Sequence, residues 1–191
     1  MKSITILVIA FILASACYSQ GVFTNDVNSA LQKVIQDYPN HFANLKGSQV
    51  PGTPLNDQYH STVSVPGAVK CMLTRYKAEK KEIYTWKCIM LEAQSFATAK
   101  GKYTDLYNQI RNTIVKMEGE KPFILNGKYE TPSDDRKFTS VIFELLPATG
   151  SMQKLKVDLT LEQEMDRWII SLAVYDVEHR KEGASDLTNR D

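Results

Sequence analysis

Three cysteines and three histidines are the residues from which any metal or nucleophile chemistry in this chain would be assembled. Cys71 and Cys88 stand 17 positions apart, which is not the C-x-x-C spacing of a redox pair or a zinc knuckle. His41, His60 and His179 are scattered, and no H-E-x-x-H or Asp-rich calcium loop gathers them, so no metal site is expected. A G-x-S-x-G elbow, a P-loop and a G-x-G-x-x-G fingerprint are all absent, and no cofactor is expected. Asp134-Asp135 lies in a turn-like segment, where two solvated carboxylates are the simpler reading than an acid and base pair. No catalytic residue is assigned on these grounds. The enzymatic alternative is a hydrolase whose site is gathered from distant residues, with His41 or His60 working beside Asp37 or Asp57.

Binding has better candidates, and they come from strand arithmetic. If 69–76 and 83–91 form a hairpin around a Lys77–Glu82 loop, Val69 faces Met90, Cys71 faces Cys88, Leu73 faces Trp86 and Arg75 faces Tyr84. Directly opposed residues have Cα atoms about 4.5–5.5 Å apart, within reach of a disulfide. A Cys71–Cys88 bond is therefore expected. The other face of the same hairpin carries Met72, Tyr76, Ile83 and Ile89 among two threonines and two lysines. Four large apolar side chains there mark an interaction surface for a protein or apolar ligand, unless a second layer such as the 40–57 segment covers them. Tyr84, Trp86 and Trp168 fall on the stronger apolar faces and read as core, or as walls of a ligand cavity between helix and sheet.

The N-terminus bears on where such chemistry would operate. Lys2, the uncharged run Ile4–Leu13 and the small residues Ala14, Ser15 and Ala16 have the layout of a secretory signal ending near Ser19. A membrane span needs roughly 20 apolar residues, so a removed segment is expected rather than an anchor. Three processing outcomes fit the junction. Cleavage after Ala16 leaves Cys17 first, and cleavage after Ser19 discards it. In the third, Cys17 is lipidated, because Leu13-Ala14-Ser15-Ala16-Cys17 resembles a bacterial lipobox with its large aliphatic residue one place early. The expected location is the periplasm, the cell envelope or the medium.

The elements that would position these residues follow from periodicity. Val27, Ala30, Leu31, Val34, Ile35 and Tyr38 form one helical face, opened by Asn25-Asp26 and stopped by Pro39. Residues 40–57, rich in Asn, Gly and Pro, read as a long loop, followed by strands at 58–65, 69–76 and 83–91. A second helix is expected over 93–117, with Gly101 as a place for a bend, and then strands at 123–130, 138–146, 153–161 and 168–175. The last two would pair Leu161 with Trp168, Leu159 with Ile170, Val157 with Leu172 and Leu155 with Val174 around a Glu162–Arg167 loop. The order helix, three strands, helix, four strands implies an α+β fold, antiparallel meanders with two helices packed on one face. It reads as an approximate repeat of a helix-plus-meander unit without residue-level identity. One domain over 20–176 and a mobile charged tail over 177–191 complete the expected organisation.

With Lys2 removed from the 23 basic residues, 22 remain against 22 acidic ones, interspersed along the chain. That lacks the basic stripe of a nucleic-acid binder. The function these observations favour is an exported, non-catalytic domain that binds a protein or an apolar ligand.

Overall fold

A computed structural model describes residues 26–77 and 82–177. The expected signal segment, with Cys17, lies outside them, as does the expected tail apart from Val177.

Helix α1 spans Asp26–Asp37 and buries Val27, Ala30, Leu31, Val34 and Ile35, the three-and-four spacing that gives a helix one apolar face. Two short 3-10 turns, Tyr38–Asn40 and Ala43–Leu45, lead into four strands. These are β1 (Lys46–Thr53), β2 (Asn56–Ser61), β3 (Lys70–Lys77) and β4 (Glu82–Ala93). Helix α2, Phe96–Ile110, follows, capped by the Ser95 hydroxyl, which accepts the N–H of Thr98. Then come β5 (Ile114–Val115), β6 (Phe123–Gly127), β7 (Phe138–Leu146), β8 (Leu155–Glu164) and β9 (Arg167–Asp176).

All nine strands join one antiparallel sheet in the order β1-β2-β3-β4-β9-β8-β7-β6-β5. Two helix-plus-meander units thus meet tail to tail through their last strands, β4 and β9. The buried residues of both helices pack with Leu73, Trp86 and Cys88 of one unit and Val157, Leu159 and Leu172 of the other in one core. Both helices therefore lie on the same face of the sheet, and the fold is α+β.

The β3–β4 register is the expected one: Cys71 opposes Cys88, Leu73 opposes Trp86, Arg75 opposes Tyr84, and the two cysteines are disulfide-bonded. The β8–β9 register is not. Leu161 opposes Ile170, Leu159 opposes Leu172 and Val157 opposes Val174, a shift of two residues from the expected pairs. The loop is a tight turn at Met165-Asp166, with Met165 in the left-handed region at φ 53°, in place of six residues. A shift of two keeps every side chain on its face, so the apolar pattern is satisfied either way.

Two further differences concern element count. The segment read as a loop contains β1, whose Gly, Ser and Pro residues show no alternation. As an edge strand it needs one neighbour only, and Pro51 is tolerated there. Glycine is required at position 52, where a Cβ would sit 2.4 Å from the Asn56 carbonyl oxygen. Helix α2 ends at Ile110 rather than 117, because Asn112 turns the chain left-handed at φ 63° and Ile114 pairs with Ile124 in the sheet. Gly101 leaves the helix unbroken.

Candidate functional site

The end of α1 builds an unusual loop. Pro39 stops the helix, and His41 and Phe42 follow in left-handed backbone, both with φ 54°. Such conformations in non-glycine residues cost of order 1–3 kcal/mol each and persist only where the surroundings impose them. Asp37 imposes them. Its carboxylate accepts Asn40 Nδ2 at 3.2 Å, the Asn44 backbone N–H at 3.0 Å and Asn44 Nδ2 at 2.7 Å, while its carbonyl oxygen accepts the N–H of Phe42 at 3.0 Å. The Phe42 ring is fully buried and ties the loop to the core. His41 consequently faces outward and stacks on Tyr84, ring centroids 5.5 Å apart and planes 29° from parallel.

Between this loop and the sheet lies a cavity of about 310 Å³. Its walls include Tyr38, Pro39, His41 and Phe42 from the loop, and Glu82, Ile83 and Tyr84 from the start of β4. Lys154 and Asp176, near the ends of β8 and β9, complete the lining. The volume is at the lower end of the range of small-molecule sites, about 300–1,000 Å³.

Polar groups around it are extensively paired. Tyr38 O–H donates to Asp176 Oδ2 at 2.9 Å, and Tyr84 O–H donates to Glu82 Oε2 at 2.7 Å. Glu82 Oε1 accepts Arg75 Nη1 at 3.1 Å. Arg75 also donates to Asp57 through Nε, at 3.0 Å, and through Nη2, while Lys77 Nζ lies 3.0 Å from Asp57 Oδ1. The hydrogen bond from Arg75, and then that from Lys77, holds the Asp57 carboxyl below the usual range, and Asp57 in return raises the Arg75 guanidinium. The Tyr84 hydrogen bond, aided by the charges of Arg75 and Lys46, lowers Glu82 against the opposing effect of burial. Burial first, then the Glu82 carboxylate, pushes the Tyr84 phenol up. Lys46 Nζ lies over the Tyr84 ring at 4.8 Å and over the Tyr59 ring at 5.5 Å.

No protein-family model, curated protein or solved structure matches this chain. What the site can do follows from its own geometry.

Of the residues expected to form a binding surface, Met72, Tyr76 and Ile89 are half-buried on the sheet face opposite both helices, and Ile83 is 3% exposed and lines the cavity. Burial raises the Tyr76 phenol. The histidine and carboxylate partners of the hydrolase alternative are not brought together. Asp37 is engaged by asparagines, Asp57 by Arg75 and Lys77, and His60 sits exposed on β2 opposite Met72. Among the described residues no group of three His, Cys, Asp or Glu side chains is placed to hold a metal ion.

Tyr84 is half-buried and lines the cavity beside the α1 loop, not a space between a helix and the sheet. Trp86 and Trp168 are buried core, with Trp86 Nε1 donating to Ser61 Oγ at 2.9 Å. The loop residues Tyr38, Pro39 and Phe42, and Lys46, Lys154 and Asp176, carry no motif. The nearest sequence signal is His41 two places after the helix-stopping Pro39, since histidine tolerates the left-handed region better than most, while nothing marks Phe42 for it.

Proposed function

We propose that the protein is an exported, non-catalytic binding module that takes an apolar group into the cavity between the α1 loop and the start of β4. The observation that carries this reading is the cavity itself, walled in part by Tyr38, Pro39, Phe42, Ile83 and Tyr84 and bordered by a loop with two residues in left-handed backbone. The Cys71–Cys88 disulfide supports an oxidising compartment, in keeping with the signal-like N-terminus. Among the described residues no helix is long and apolar enough to cross a membrane. A protein partner is the second reading, favoured by the half-buried Met72, Tyr76 and Ile89 on the sheet face that neither helix covers.

Titration with hexan-1-ol, followed by the ¹³C-methyl resonances of the isoleucines, tests the first reading. Ile83 should shift saturably and Ile170, fully buried in the core, should not. An Ile83 signal that stays fixed up to the solubility limit of hexanol overturns it.

A further inference from the structure

One register row runs across five strands on the sheet face that neither helix covers. Met72 on β3 pairs with Lys87 on β4, Lys87 with Ala173 on β9, Ala173 with Asp158 on β8, and Asp158 with Ile142 on β7. Their chain neighbours, Trp86, Cys88, Leu172 and Val174 among them, belong to the core, so these five side chains share the outer face. Lys87 is exposed and the other four are half-buried, which leaves the whole row within reach of a partner.

Outward from Ala173 the row places a cation on one side and an anion on the other, and beyond each an apolar side chain. That order is complementary to itself. With two copies stacked face to face about a two-fold axis along β9, Lys87 of each copy lies against Asp158 of the other, and Met72 against Ile142. An axis across the strands would instead set Lys87 against Lys87, a like-charge contact. The surroundings carry the same asymmetry. Lys70 lies on the β3 side and Glu162 on the β8 side, while Lys156 pairs with Glu144 at 2.7 Å and Arg167 with Glu92 at 3.5 Å within the chain. Stacked sheets keep their strands within about 30° of each other and about 10 Å apart, and a small residue on the axis suits that approach. We infer that the protein pairs with a second copy of itself through this face. This inference rests on the second reading above, that the outer face is a protein-binding surface.

Analytical ultracentrifugation of the mature protein between about 1 μM and 1 mM should show a reversible equilibrium between monomer and dimer that weakens as salt is raised. Lys87→Asp and Asp158→Lys should each weaken the homodimer about tenfold, because each sets like charges together twice. Mixed in equal amounts, the two variants should form a heterodimer as tight as the wild-type dimer, since both of its contacts again join opposite charges. A pairing of these two side chains within one chain would not give that recovery. Ala173→Glu meets its own copy on the axis and should also disrupt the dimer, which keeps the test open if Asp158→Lys does not fold. A protein that stays monomeric over this range overturns the second copy as partner and leaves the face standing as a surface for another protein. A dimer that neither Lys87→Asp nor Ala173→Glu weakens overturns the face itself as the interface. Losses in two folded single variants without recovery on mixing overturn the two-fold arrangement.

Discussion

Tyr103 offers a test of the packing that needs no ligand. It lies on α2, fully buried, and its hydroxyl has no hydrogen-bond partner among the described residues. In the unfolded chain the same hydroxyl is hydrated. Burying a hydroxyl without a replacement bond costs about 1–3 kcal/mol, whereas the ring contributes through its apolar contacts, including Tyr129 at 6.2 Å. Tyr103→Phe keeps the ring and deletes the orphan group. We expect the variant to be more stable by about 1 kcal/mol, a rise in Tm of about 2–4 °C for a chain of this size. The pH dependence gives a second readout. Burial, and after it the charges of Tyr129, Asp158 and Glu130, push the Tyr103 phenol far above its usual range. Above the unfolded-state value of about 10 the unfolded chain ionises this phenol and the folded protein does not, so stability falls as pH rises further. The wild type should therefore lose stability more steeply than Tyr103→Phe above about pH 10. Urea denaturation at pH 7 and pH 11, with the disulfide intact, measures both effects. A variant destabilised by about 1 kcal/mol or more would refute the reasoning and show that the hydroxyl is hydrogen-bonded, and an alkaline slope unchanged by the substitution would show that the phenol ionises in the folded protein.

Three further outcomes follow from the same structure. Replacing Cys71 and Cys88 by alanine should cost about 3 kcal/mol in urea denaturation, the expected effect of opening a loop of this length, and denaturing thiol labelling of the exported protein should find neither cysteine free. Asp37→Ala should destabilise the protein by about 2–3 kcal/mol and weaken hexanol binding, because its carboxylate holds Asn40 and Asn44 and with them the left-handed loop; unchanged binding would show that the loop is set by other contacts. Asp57 is held below its unfolded value, so its contribution is present above about pH 4 and is lost as pH falls through the folded value. Asp57→Asn should accordingly flatten the acid limb of stability below about pH 4, and an unaltered limb would count against the Arg75–Asp57–Lys77 network.

What could be read from the residues depended on how many constraints acted on each. The β3–β4 register was legible because its apolar face and its two cysteines agree on one pairing. The β8–β9 register was not, because Leu155, Val157, Leu159 and Leu161 can be set against an equally apolar strand with a shift of two at no cost to the pattern, and only the turn at Met165-Asp166 decides. Ile114 and Met117 kept a helical spacing by coincidence, while Asn112 and the pairing of Ile114 with Ile124 end the helix earlier. β1 carries no such signal, because an edge strand of Gly, Ser and Pro has no buried face to advertise it. The cavity was least visible, since it joins Tyr38 to Asp176 and His41 to Tyr84 across the fold through a loop geometry that no local pattern encodes.

The central claim is that the cavity at the α1 loop binds an apolar group. Its most direct test is an isotope-filtered nuclear Overhauser experiment on the protein with bound hexan-1-ol. The account predicts cross-peaks from the hexyl chain to the Ile83 methyls and the Tyr84 ring. Cross-peaks to Met72 and Ile89 on the outer sheet face, without any to Tyr84, would contradict it.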